Sequence, residues 1–197
     1  SVSPEQGFIT ISSVCFASFI KFFTDYLEAL QLGIATDDEH DVFDAIIPLL
    51  EPIQKSSPKF IPSPFSNEEI VYSAIIEAGK KIVEYGLVDS FFGNVSYFWK
   101  KILYISQTGS SLDELSGCID PVPLDCSTSA GITASSELSA HLETISVTGC
   151  KAILHGHPKF SVILSMDCDL QKKAVCNFKE QCHIKCPEKR FVGSTPI

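Results

Sequence analysis

The sequence predicts an α/β domain with a helical extension in front of it. Three observations carry that prediction. Apolar residues recur at helical spacing through the first fifty residues and again after Ser66. Strand-like blocks follow, over residues 93–99 and 102–106 and again just before His155. Helical and strand patterns then alternate along the rest of the chain, to Leu164.

The first helix is expected over residues 7–32, where Phe8, Ile11, Val14, Cys15, Phe19, Phe22, Phe23, Tyr26, Leu27 and Leu30 form a broad apolar face and Gly33 is a stop. A second helical pattern follows Asp37 and Asp38, with Pro48 and Pro52 set to kink or divide it. No chemistry is visible in this pair; a face so apolar has to be buried, on the main domain or in a subunit contact. The Pro/Ser-rich stretch 56–64 is a connector and the best boundary. It divides a helical extension, residues 1–60, from a main domain, residues 61–197. Ser66 and Glu69 are spaced as a capping box for a helix running to Gly86. The strand blocks 93–99 and 102–106 are joined at Lys100-Lys101, Thr108-Gly109 makes a turn, and residues 120–125 are a further short strand. Ser135 and Ser136 stand as caps before a helix ending at Gly149, with Leu138, His141, Leu142 and Ile145 on one face.

Composition narrows the function. The chain has 197 residues, of which 45% are apolar, enough to bury one sizeable core. Its formal charge of -9 argues against general nucleic-acid binding, although a local pocket can still hold a phosphorylated small molecule. No basic start precedes an apolar run, and the apolar stretch 8–23 is interrupted by Lys21, so neither a signal peptide nor a membrane span is read. The eight cysteines are therefore expected to be mostly reduced thiols of a cytoplasmic protein.

The residues that suggest chemistry begin with His155 and His157. Side chains alternate along a strand, so two histidines one residue apart at a strand end point the same way and can share a divalent metal ion. Taken alone, such a pair is equally an ordinary surface feature. Three further pieces precede it: Gly93-Asn94-Val95-Ser96, Ser106-Gln107-Thr108-Gly109, and Ser135-Ser136-Glu137 with His141 one turn on. Singly they are turn residues, a helix cap and a first-turn glutamate. In this order, they resemble the class II aldolase/adducin family, which includes fuculose- and ribulose-phosphate aldolases and epimerases. The resemblance runs from about residue 70 to residue 166.

The resemblance implies a three-layer α/β/α domain with a central, mainly antiparallel sheet, assembled as a homotetramer with active sites near subunit interfaces. It implies that Asn94, Thr108, Gly109, Ser135 and Ser136 bind a substrate phosphate. Hydroxyls, an amide and exposed backbone N–H groups suit that role without a lysine. It further implies that Glu137 is the catalytic acid/base and that His155 and His157 bind a divalent metal, with zinc the expected ion. The expected activity is metal-dependent aldol cleavage of a phosphorylated ketose through an enediolate. A sugar-phosphate 4-epimerase and a non-catalytic, adducin-like assembly module are the alternatives. His141 is expected to pack beside the metal ligands rather than to be one.

Three departures stand out. No Gly-His-Gly motif supplies the family's third metal histidine; His183 is the one histidine after His157. Either the chain is a piece of a longer protein, which is the expectation here, or His183 or a cysteine substitutes, or the site is degenerate. Ser106-Gln107 stands where the family usually has Thr-Pro, and residues 127–134 form an unusually bland loop. Finally, Cys176, Cys182, His183 and Cys186 form a second candidate metal site, with free thiols or a redox-sensitive pair as the simpler reading.

Overall fold

The structure, a computed structural model, describes residues 4–50, 56–125, 127–166, 191–192 and 195–196. His183 and the cluster Cys176, Cys182 and Cys186 lie outside the described residues. In chain order the elements are α1 (Pro4–Leu32), α2 (Asp37–Ile46), α3 (Glu68–Glu84), β1 (Gly93–Trp99), β2 (Ile102–Ser106), β3 (Ile119–Pro123), α4 (Leu138–Thr148), β4 (Ala152–Gly156) and α5 (Lys159–Met166), followed by a short strand pair, β5 (Phe191–Val192) and β6 (Thr195–Pro196). The chain divides into two compact units, one of Ser1–Ile9 with Ile53–Pro158 and one of Thr10–Pro52 with Lys159–Ile197.

The helical unit is built on aromatic packing. Ile20, Phe23 and Ile163 are buried, with Phe19, Phe22 and Phe43 packed against them. Thr36 starts α2 with a reciprocal capping box: its hydroxyl accepts from the Glu39 backbone N–H at 3.3 Å, and its own N–H donates to Glu39 Oε2 at 2.8 Å. Pro48 acts as expected, because α2 stops at Ile46 and a single 3₁₀ turn, Ile47–Leu49, follows. Among the described residues, no helix is long and apolar enough to cross a membrane.

The other unit holds a four-stranded sheet in the order β3-β2-β1-β4, with every neighbouring pair antiparallel. Alternation along the strands separates two faces. Val95, Tyr97 and Tyr104 pack with Val71, Ile75 and Ile82 of α3 on one side. Leu103 and Ile105 pack with Leu138, Leu142 and Ile145 of α4 on the other. Helix, sheet and helix form the three layers expected of the α/β domain.

Two helix starts differ from the sequence expectation by a residue or two. Asn67, not Ser66, caps α3, its Oδ1 accepting from the Ile70 N–H at 3.0 Å. Glu137 occupies the N-cap position of α4, ahead of which Ser135 and Ser136 were expected to cap. Its side chain makes no cap hydrogen bond and is used elsewhere. The strand expected over 120–125 is β3, whose Pro121 and Pro123 are tolerated because it lies at the sheet edge.

The β1–β2 hairpin turns at Lys100 and Lys101, both with positive φ (49° and 67°), as a two-residue type I′ turn requires. Side chains with a Cβ are disfavoured in that region. Lys101→Gly is therefore expected to stabilise this unit by roughly 0.5–1 kcal/mol, read as a raised midpoint in denaturant unfolding.

Candidate active site

The site forms where β1 and β4 meet the first turn of α4. In the register of β1 with β4, Asn94 lies opposite His155 and Gly93 opposite Gly156. Both glycines are demanded by close approach rather than by turn geometry. A Cβ on Gly93 would collide with the His155 carbonyl oxygen, and one on Gly156 with the Val88 side chain. His157 lies just past β4, its N–H donating to the Phe92 carbonyl at 3.2 Å, and its ring centroid is 4.9 Å from that of His155. The two imidazoles are side by side at the strand end.

Glu137 reaches them from the start of α4. Its Oε2 lies 2.7 Å from His155 Nδ1 and accepts from Asn94 Nδ2 at 3.0 Å. Asn94 Nδ2 is also 3.3 Å from His155 Nδ1. One ligand atom each from Glu137, His155 and His157 falls within 4.8 Å of the others. Two imidazole nitrogens and a carboxylate oxygen are the donor set that suits zinc and similar divalent ions, and a set poor for calcium.

The orientation of Asn94 is fixed from behind by a buried histidine. His141, 2% exposed, hydrogen-bonds Asn94 Oδ1 through Nε2 and Ser96 Oγ through Nδ1, the latter at 2.7 Å. Asn94 presents its amide N–H to Glu137, so its Oδ1 must accept, and His141 Nε2 must carry the proton. Nδ1 then accepts from the Ser96 hydroxyl. The chain Ser96, His141, Asn94, Glu137 has one consistent direction of donation. Burial pushes the His141 pKa down and outweighs the opposing pull of Glu137. The His157 pKa is lowered too, by burial first and then by His155.

The remaining candidate residues gather next to α4. Ser135 N donates to the Ser106 carbonyl at 3.0 Å, and Thr108 N to the Thr133 carbonyl at 3.0 Å. Thr108 Oγ1 donates to the Ala134 carbonyl at 3.1 Å and accepts from the Ser136 N–H at 2.8 Å. Gly109 adopts a φ of 70°, which turns the chain after Thr108. Ser135 Oγ accepts from the Glu137 N–H at 3.3 Å. Thr108, Gly109, Ser135 and Ser136 thus form one patch, and Asn94 is hydrogen-bonded within the Glu137/His155 cluster. Asp120 and Thr133, which were not singled out from the sequence, join this patch through Gln107: Gln107 Nε2 donates to Asp120 Oδ1 at 2.8 Å and Thr133 Oγ1 to Asp120 Oδ2 at 2.7 Å. An aspartate in an edge strand carries no sequence signal of such a role.

With this geometry in view, the comparisons define the class of protein. Residues 73–194, more than half of the chain, match the family model described as Class II Aldolase and Adducin N-terminal domain. The chain belongs to the class II aldolase and adducin family. Among solved structures, L-fuculose-1-phosphate aldolase from Thermus thermophilus matches at 30% identity and a TM-score of 0.43, covering 48% of this chain and 48% of that one. The chain spans about half the length of that enzyme. No curated protein matches the sequence.

The depressed His141 pKa sets a pH dependence for the metal-free protein. A histidine whose folded pKa is lowered from 6.5 stabilises the fold above that value, and the contribution is lost as pH falls through the folded pKa. Unfolding midpoints are expected to decline from pH 7.5 to pH 5, with a shallower decline in His141→Gln; an equal decline in both proteins would remove His141 as its source.

Proposed function

We propose that the chain carries the active site of a metal-dependent aldolase-type lyase acting on a phosphorylated ketose. The observation that carries this reading is the convergence of Glu137, His155 and His157 within 4.8 Å, in a chain of the class II aldolase and adducin family. A module kept only for assembly has no need of that donor set.

His155 and His157 would hold a divalent ion, zinc being the ion their donor set suits best, with Glu137 beside it. Such an ion supplies Lewis acidity at a carbonyl and its neighbouring hydroxyl. The rest of the work falls to side chains. Aldol cleavage needs a base to take the hydroxyl proton on one side of the breaking carbon–carbon bond, and an acid to return a proton to the carbon on the other. Glu137 serves as that group. Its carboxylate is held by the Asn94 amide and by His155 at 3.0 and 2.7 Å, and it is 42% exposed, open to a substrate. The patch Thr108, Gly109, Ser135 and Ser136 is the surface for the phosphate, with the Ser135 and Ser136 hydroxyls as its donors; the Thr108 hydroxyl and the Thr108, Ser135 and Ser136 N–H groups hold the patch in shape, and Asn94 orients Glu137.

A homotetramer in the cytoplasm fits this reading. A 4-epimerase would use the same donor set, and product analysis separates the two.

Elemental analysis of the purified chain is expected to find about one divalent ion per chain, lost in His155→Ala. Glu137→Gln is expected to keep phosphate binding but lower the rate of sugar-phosphate cleavage by about 10²-fold or more. Cleavage at the normal rate in Glu137→Gln would refute the acid/base role, and metal retained by His155→Ala would move the metal site elsewhere.

A further inference from the structure

The buried carboxylate of Asp120 is not used by the chemistry above. It is 7% exposed, on β3, and each of its oxygens has a different partner. Oδ1 accepts from the Gln107 amide at 2.8 Å and Oδ2 from the Thr133 hydroxyl at 2.7 Å. Gln107 immediately precedes Thr108 in the turn after β2. Thr133 immediately precedes the segment Ala134, Ser135 and Ser136 that leads into α4. These two segments touch through the isolated bridge Gln107–Ala134 and through the Thr108–Thr133, Thr108–Ala134 and Thr108–Ser136 hydrogen bonds.

We propose that Asp120 is a positioning residue that clamps these two segments together and so shapes the anion-binding half of the site. The proposal rests on the reading of Thr108, Ser135 and Ser136 as the phosphate patch. Both segments are irregular and lack a continuous strand ladder between them, so a few hydrogen bonds set their separation. A shift of a fraction of an ångström would separate the Thr108 hydroxyl from the Ser136 N–H, 2.8 Å apart. A carboxylate suits the clamp because it accepts on both oxygens, and its hydrogen bonds are charge-assisted. The register of β2 with β3 fixes where it sits: Asp120 lies opposite Ile105, and Ile119 opposite Ser106. Gln107 is also held next to that strand, its N–H donating at 2.9 Å to the carbonyl of Cys118, the residue before β3. Asp120 acts through these neighbours and is not itself a phosphate ligand; a carboxylate would repel the anion.

The test titrates inorganic phosphate into the full chain and follows backbone amide resonances of Thr108 and Ser136. Wild type is expected to respond at both amides. Thr133→Val and Gln107→Leu should each weaken phosphate binding about tenfold. Thr133→Ser, which keeps the hydroxyl, should restore it. Within Asp120→Ala, adding Thr133→Val should cause no further loss. Hydrogen-exchange protection of β1 and β2 and the metal content should stay at wild-type values in Thr133→Val, which a general loss of stability would not allow. Wild-type phosphate affinity in Thr133→Val and Gln107→Leu would overturn the clamp while leaving the phosphate patch intact. No response to phosphate in the wild type would overturn both. If Asp120→Ala fails to fold, the Thr133→Val and Thr133→Ser pair decides.

Discussion

The pairing of β1 with β4 is the constraint on which the site depends. It sets Asn94 opposite His155, and two glycines facing each other let the strands and the Val88 region approach closely enough for that register to hold. A one-residue slip would send His155 to the α3 face of the sheet, because side chains alternate strictly. His155 would then sit on the face of Val95 and Tyr97, opposite to the one that carries Glu137. β4 adds little apolar burial of its own, Leu154 being 46% exposed, so the register rests on the five-residue backbone ladder with β1 and on the close approaches at Gly93 and Gly156.

Two polar chains then converge on the start of α4. One runs from Ser96 through His141 and Asn94 to Glu137, and buries its histidine against the sheet. The other runs from Asp120 through Gln107 and Thr133 to Thr108, Ser135 and Ser136. They meet at residues 135–137, where Ser135 Oγ accepts the Glu137 N–H. Every buried side-chain polar atom among the described residues has a partner, as a buried network needs if it is to hold one conformation. Glu137 spends no hydrogen bond on capping its own helix, which leaves both oxygens for the site.

Much of this was legible in the sequence because it is local. The His-x-His spacing, the strand blocks on either side of Lys100-Lys101 and the Gly149 helix stop each follow from backbone geometry within a few residues. The order of four short motifs carried the family. What could not be read depends on contacts between distant segments. Nothing in a Pro-flanked aspartate announces that it will receive Gln107 and Thr133. Nor does an asparagine at the start of a strand announce that its amide will face a glutamate 43 residues on rather than solvent. The helix caps were displaced because Ser66 and Asn67 are both good N-caps, and only the path of the chain chooses between them.

The departure at Gln107 has a physical explanation in the same network. A proline before Thr108 would fix φ but has no N–H and no side-chain amide. Gln107 uses both, its backbone donating to Cys118 and its side chain to Asp120. Stiffness that proline supplies through its ring is supplied here by two hydrogen bonds to β3 and the residue just before it. The substitution therefore preserves the turn that presents Thr108 while making it depend on a neighbouring strand. That dependence ties the Thr108/Ser135/Ser136 patch to one edge strand, β3, while His155 and His157 sit at the other, β4, beside β1. The two halves are held by separate contacts and joined at the start of α4, so each can be weakened without dismantling the other.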